Sequence, residues 1–152
     1  MVLFLDICIG LWLIKIAYVD IKKMFVTNDS LVVLISLIVV QKIFVDVVFM
    51  DILGAIIASS IVFGGLFLAG KGFIGGGDVK LIVVLSVWLG LFPVIVAIYL
   101  AFILGGIVGA LCLLFKWKSR KDRLPFAPFL AVGAIIAHFD FIGIEIYKIC
   151  II

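Results

Sequence analysis

The chain has 152 residues, 68% of them hydrophobic and 14% charged, with a mean hydropathy of +1.55. Soluble domains sit near half apolar and a quarter charged, so this balance excludes a water-soluble enzyme and predicts an integral membrane protein. The net charge of +3 gives no support to a nucleic-acid partner, and at about 20 apolar residues per crossing the length leaves no room for a separate soluble domain.

The first predicted crossing is Val2–Val19, ended by Asp20, Lys22 and Lys23. Its start lacks the basic region and small-residue cleavage site of a secretory leader, so it is expected to be retained as a helix. A short run at Leu31–Phe44 and a longer one at Val47–Ala69 follow. After the glycine-rich stretch GFIGGGDVKL come Val79–Leu91, Val94–Phe115 and, from Phe126 to roughly Tyr147, the last run. The second and fourth runs are short for a span, as expected of helices that stop at the interface or border protein. The predicted fold is an all-α polytopic membrane protein of six transmembrane helices, one domain over residues 1–152. Gly64, Gly65, Gly105, Gly106 and Gly109 lie inside predicted helices and are read as packing positions. Cys8, Cys112 and Cys150 are far apart in apolar context and are read as small buried hydrophobes.

Orientation follows from lysine and arginine near the helix ends. Lys22, Lys23, Lys71, Lys80 and the run KWKSRKDR, Lys116 to Arg123, all fall in odd-numbered loops; the even-numbered loops offer Lys42 with Asp46 and Asp51 beside it. The amino terminus is therefore expected outside and Asp20 and Asp78 on the cytoplasmic side. The Lys116 to Arg123 loop serves topology or binds anionic lipid headgroups.

Several motifs point nowhere. GKGFIG, Gly70 to Gly75, has the GxGxxG pattern but no strand before it and no ribose-binding acid about 20 residues on. GLFLAGKG lacks the hydroxyl residue that a phosphate loop uses to hold magnesium. HExxH and GxSxG are absent, and the one histidine, His138, is read as a solitary interfacial or packed residue rather than a metal ligand. No metal and no cofactor are expected.

Asp20 and Asp78 carry the chemical interest. A carboxylate at membrane depth costs on the order of 3 kcal/mol at a helix centre, less at an interface, so both could be ordinary helix-end residues. Gly75, Gly76 and Gly77 before Asp78 remove side-chain bulk, which suits either an extended peptide passing the carboxylate or a flexible turn with an aspartate cap. Two carboxylates that meet are the minimum kit for aspartyl proteolysis, one activating water while its protonated partner polarises the scissile carbonyl.

Three segments in order resemble the prepilin peptidases of type IV pilus systems, membrane aspartyl proteases with a Gly-x-Gly-Asp motif. Asp20 heads DIKKMFVTN; Gly75, Gly77 and Asp78 lie in GGGDVKL; and PFAPFL, with Pro125, Phe126 and Pro128, opens the last helix. The chain departs from the family pattern at Val26-Thr27-Asn28, where the family reads Ile-Pro-Asn, and at Ala127, where it has glycine. The resemblance implies that Asp20 and Asp78 form the catalytic pair, with Asn28, Lys80 and the glycines as supporting residues. It implies removal of the basic leader from pilin-like precursors on the cytoplasmic side of a prokaryotic inner membrane. The domain with paired CxxC motifs found in long members is missing from this sequence, so the expectation is the short, peptidase-only form of tight-adherence (Flp) systems, without methyltransferase activity. The competing readings are an ion or small-solute transporter using the same aspartates and an inert membrane scaffold. Partners implied are the precursor and the lipid bilayer; nothing in the sequence sets an oligomeric state.

Overall fold

The computed structural model describes residues 1–45, 48–69, 75–116 and 124–151. Among these, six helices account for the regular structure: α1 (Val2–Lys23), α2 (Asn28–Lys42), α3 (Phe49–Ala69), α4 (Gly76–Leu89), α5 (Leu91–Leu114) and α6 (Ala127–Ile151). Three stretches, Val2–Lys23, Phe49–Leu68 and Leu91–Leu114, are long and apolar enough to cross a membrane. With 15 and 14 residues, α2 and α4 reach only about 21–23 Å at 1.5 Å per residue, short of a ~30 Å hydrocarbon core. The expected shortness of the second and fourth elements is therefore observed.

The short α4 is the central helix, packed against α2, α3, α5 and α6. Leu81, Ile82, Leu85, Ser86 and Trp88 are all buried there. Around it, both faces of a helix can be apolar, because one meets protein and the other lipid. On α1 the buried stripe is Asp6, Ile9, Leu13, Ile16 and Asp20, while Leu3, Ile7, Leu11, Ile14 and Tyr18 point outward. Both stripes step by three or four residues, as a helix requires.

With little hydrophobic drive between helices in lipid, close backbone approach and polar bonds hold the bundle. At the α5–α6 seam, buried Ala97 and Ala101 of α5 lie against Gly133 of α6. At Gly133 an added Cβ would lie 2.5 Å from the Ala97 carbonyl oxygen. The Ser59 and Ser86 hydroxyls, 2.8 Å apart, join α3 to α4.

Several predicted boundaries move: α2, α4 and α5 begin earlier than expected, at Asn28, Gly76 and Leu91, and α6 runs on to Ile151. The first helix runs on past Val19 to Lys23 and ends where Met24 turns left-handed, φ 52°, donating its N–H to the Asp20 carbonyl at 2.7 Å. Asp20 therefore lies in the last turn of α1, at the helix end where it was expected. The packing role expected of the mid-helix glycines holds at Gly105, whose added Cβ would sit 3.3 Å from Phe126 and Phe129, and at Gly109, 3.7 Å from Leu124. It fails at Gly64, Gly65 and Gly106, which have nothing within 4 Å. Cys8 and Cys112 are free and only half-buried, not buried as expected. Lys71, Asp46 and the basic loop beyond Lys116 fall outside the described residues.

The bundle end away from Asp20 holds a polar knot. Asp6, 3% exposed, accepts hydrogen bonds on Oδ1 from Gln41 Nε2, from Trp88 Nε1 at 3.3 Å and from His138 Nε2 at 2.9 Å. One carboxylate oxygen thus ties α1 to α2, α4 and α6. Of the two readings of His138 the packed one holds: it is paired with Asp6 and packed against Trp88, ring centroids 4.2 Å apart. Beside the knot, Lys42 Nζ donates to the Trp88 carbonyl at 3.0 Å, and Asp51 accepts from the Leu91 N–H at 3.2 Å, satisfying a donor at the start of α5.

Candidate active site

Asp20 and Asp78 reach the same end of the bundle from different helices. On α1, Asp20 shares the inward stripe with Asp6, 14 positions away and so about 21 Å along the axis. Asp78 is the third residue of α4, in its first turn. Both are buried, at 4% and 8% exposure, and close enough for the charge of Asp20 to act on Asp78.

Main-chain donors hold each carboxylate. Asp20 Oδ2 accepts the N–H of Ala127, the first residue of α6, at 3.2 Å; Asp78 Oδ2 accepts the N–H of Gly75 at 3.3 Å. In both cases a donor left over at a helix start meets a carboxyl oxygen, at the end of the helix whose dipole favours negative charge. The hydrogen bonds formed among the described residues engage one oxygen of each carboxylate, Oδ2. Proline explains part of the α6 geometry, since Pro128 sits in the first turn, where a missing N–H removes no helical bond.

The three glycines have separate tasks. Gly77 lies against the loop after α1: its added Cβ would be 3.1 Å from Val26 Cβ and 3.4 Å from Val26 N. The backbone that approaches Gly77 is thus the chain's own. Gly75 lets its N–H reach Asp78; a Cβ there would sit 3.3 Å from Asp78 Oδ2. Gly76 is exposed, with only Phe67 at an ordinary 3.9 Å. Lys80, expected as a support beside Asp78, instead donates to Asn28 Oδ1 at 3.1 Å, bridging α4 to the start of α2 at the exposed rim. Thr27, which precedes α2, bonds through its hydroxyl to Ser30 at 2.7 Å. Pro125 and Pro128 flank Phe126, whose ring packs against Phe102, Phe63 and Phe129.

Asp6, absent from the sequence-based candidates, is the buried carboxylate that reasoning missed. An acid inside an apolar run was the available signal. No group of three or more histidine, cysteine or acidic residues could hold a metal ion among the described residues.

Comparison with known proteins gives a consistent result. The prepilin leader peptidase/N-methyltransferase of Xanthomonas campestris pv. campestris is 33% identical over 72 residues, 47% of this chain and 25% of its own length. The protein of the same description from Bacillus subtilis (strain 168) is 36% identical over 67 residues, 44% of this chain and 27% of its own. That from Legionella pneumophila is 36% identical over 66 residues, 43% and 23% respectively. The matched segments thus span about a quarter of each relative. No solved structure matches. The description of the type IV leader peptidase family fits residues 7–110, more than half of the chain and inclusive of both aspartates. By that match the chain belongs to the type IV leader peptidase family.

Proposed function

We propose that this chain is a membrane aspartyl endopeptidase that removes the basic leader from pilin-like precursors of the Flp type, with Asp20 and Asp78 as its catalytic pair. The observation that carries this reading is the convergence of two buried carboxylates from α1 and α4, each anchored through one oxygen by a main-chain N–H. Like charges in a poorly hydrated site oppose double ionisation, so the pair holds one proton between them. The ionised member takes a proton from a water as it attacks the scissile carbonyl. The protonated member hydrogen-bonds the carbonyl oxygen, and proton transfer to the departing amine completes cleavage. The Oδ1 atoms would face water and substrate.

In this reading all six helices belong to one membrane domain in the inner membrane of a prokaryote, the amino terminus outside. Lys22, Lys23 and Lys80 lie at the Asp20–Asp78 end, which supports a cytoplasmic placement for the site. A precursor with a basic leader and a long apolar helix would then present its junction at the depth of the pair. Asn28, Lys80, Gly75, Gly76, Gly77, Pro125, Phe126 and Pro128 form the surround of the site rather than its reacting groups.

The test is cleavage of a precursor by purified chain in detergent, native against Asp20→Asn and Asp78→Asn variants shown to be folded. Cutting just before the apolar helix, lost in each variant, is expected. A variant that still cuts would end the two-aspartate mechanism; ion flux through the native chain without proteolysis would favour transport.

A further inference from the structure

Gly105 is on α5, a helix that carries neither aspartate of the pair, and a methyl group there would crowd two phenylalanine rings. Its Cβ would come 3.3 Å from Phe126 Cε2 and 3.3 Å from Phe129 Cδ2, whereas its neighbour Gly106 has nothing within 4 Å. The missing side chain leaves a seat for the Phe126 ring. Phe102 of α5 and Phe63 of α3 complete it, with ring centroids 5.3 Å and 6.1 Å from that of Phe126. Tilted rings at these separations attract beyond their buried area, and Phe63 is fully buried.

Phe126 directly precedes the residue that holds Asp20. Adjacent Cα atoms are a fixed ~3.8 Å apart, so a displaced Phe126 backbone displaces Ala127 with it. The rest of the α6 start narrows the donors to one. Pro128 has no N–H, and the N–H groups of Phe129 and Leu130 both turn back to the Phe126 carbonyl, at 3.1 and 3.2 Å. Ala127, fully buried, gives its N–H to Asp20 Oδ2.

We infer that the aromatic seat formed by Gly105, Phe63 and Phe102 around Phe126 is a positioning device for Asp20, setting the start of α6 so that one main-chain N–H orients that carboxylate. Gly105 and Phe126 are positioning residues, acting through Ala127 and touching no substrate. The consequence for cleavage rests on the peptidase reading; the geometric claim does not.

Two readouts separate them. The amide resonance of Ala127, followed by NMR in detergent micelles, is expected to move in Asp20→Ala, which removes its acceptor. It is expected to move the same way in Gly105→Ala, where the methyl group pushes the ring out, and to move part of the way back in Gly105→Ala with Phe126→Leu, which lacks the outer ring atoms. Gly106→Ala should leave it in place. In cleavage assays Gly105→Ala should lower kcat on the order of 10-fold to 100-fold with KM little changed, because Asp20 misplacement acts on the reacting step. A resonance indifferent to Asp20→Ala overturns the hydrogen bond. A native resonance in Gly105→Ala, whatever its kcat, overturns the positioning role. Failure of the native chain to cut any precursor strikes the peptidase reading alone, since the resonance still reports on the seat.

Discussion

Replacing Gly77 with alanine probes the contact that joins the two halves of the site. The new Cβ would lie 3.1 Å from Val26 Cβ, about 0.4 Å inside the ~3.5 Å inner edge of carbon–carbon contact. Val26 is buried and cannot swing away as a long side chain would; its backbone N is also only 3.4 Å from the added atom. The loop must therefore shift as a unit. It is short and tethered, by the Met24 N–H on the Asp20 carbonyl at one end and by the start of α2 at the other. Part of the shift passes into the last turn of α1, moving Asp20 relative to Asp78. Overpacking of this kind costs about 1–3 kcal/mol, offset by up to about 1 kcal/mol from replacing glycine inside a helix. Stability should consequently fall by about 0–3 kcal/mol while precursor cleavage falls on the order of 10-fold to 100-fold. The assay pairs thermal unfolding in detergent with initial cleavage rates per folded molecule. Gly76→Ala, whose Cβ meets only Phe67 at 3.9 Å, is the internal control and should keep near-native activity. Equal activity for both variants, or equal loss, would refute the steric assignment of Gly77.

Other changes have graded expectations. Asp6→Ala leaves the Gln41, Trp88 and His138 donors without their shared acceptor and should cost on the order of 2–4 kcal/mol in denaturant or thermal unfolding. Gly133→Ala forces a methyl group against the Ala97 carbonyl and should destabilise the α5–α6 pair by about 1–3 kcal/mol in the same measurement. Lys80→Gln removes an exposed bond to Asn28 worth at most about 1 kcal/mol, so unfolding should barely move and cleavage should fall less than tenfold.

How much of this was legible depends on the range of the interaction involved. Apolar runs separated by polar punctuation are local, and six helices emerge close to the expected places. The end of α1 was misplaced because Lys22 and Lys23 look like loop residues and the left-handed cap at Met24 falls on a residue type that gives no sign of it, where glycine is the usual marker. Asp78 was legible through its glycines, but the partner that makes Gly77 necessary, Val26, is 51 residues earlier in the chain. The Ala127 donor is backbone and leaves no mark in composition at all. Asp6 is the sharpest case: its three partners are 35, 82 and 132 positions away, and only their convergence gives it a role.

That spacing bears on biogenesis. Asp6 is synthesised with α1, before Gln41, Trp88 and His138, and an unpaired ionised carboxylate in lipid is penalised by up to about 3 kcal/mol. The last donor arrives with α6, which also brings the Ala127 N–H to Asp20. Docking of α6 thus closes the knot at one end and orients the carboxylate at the other in one event. A chain lacking α6 would carry both aspartates yet hold neither end in order, so the knot and the Asp20 anchor are completed together when α6 docks.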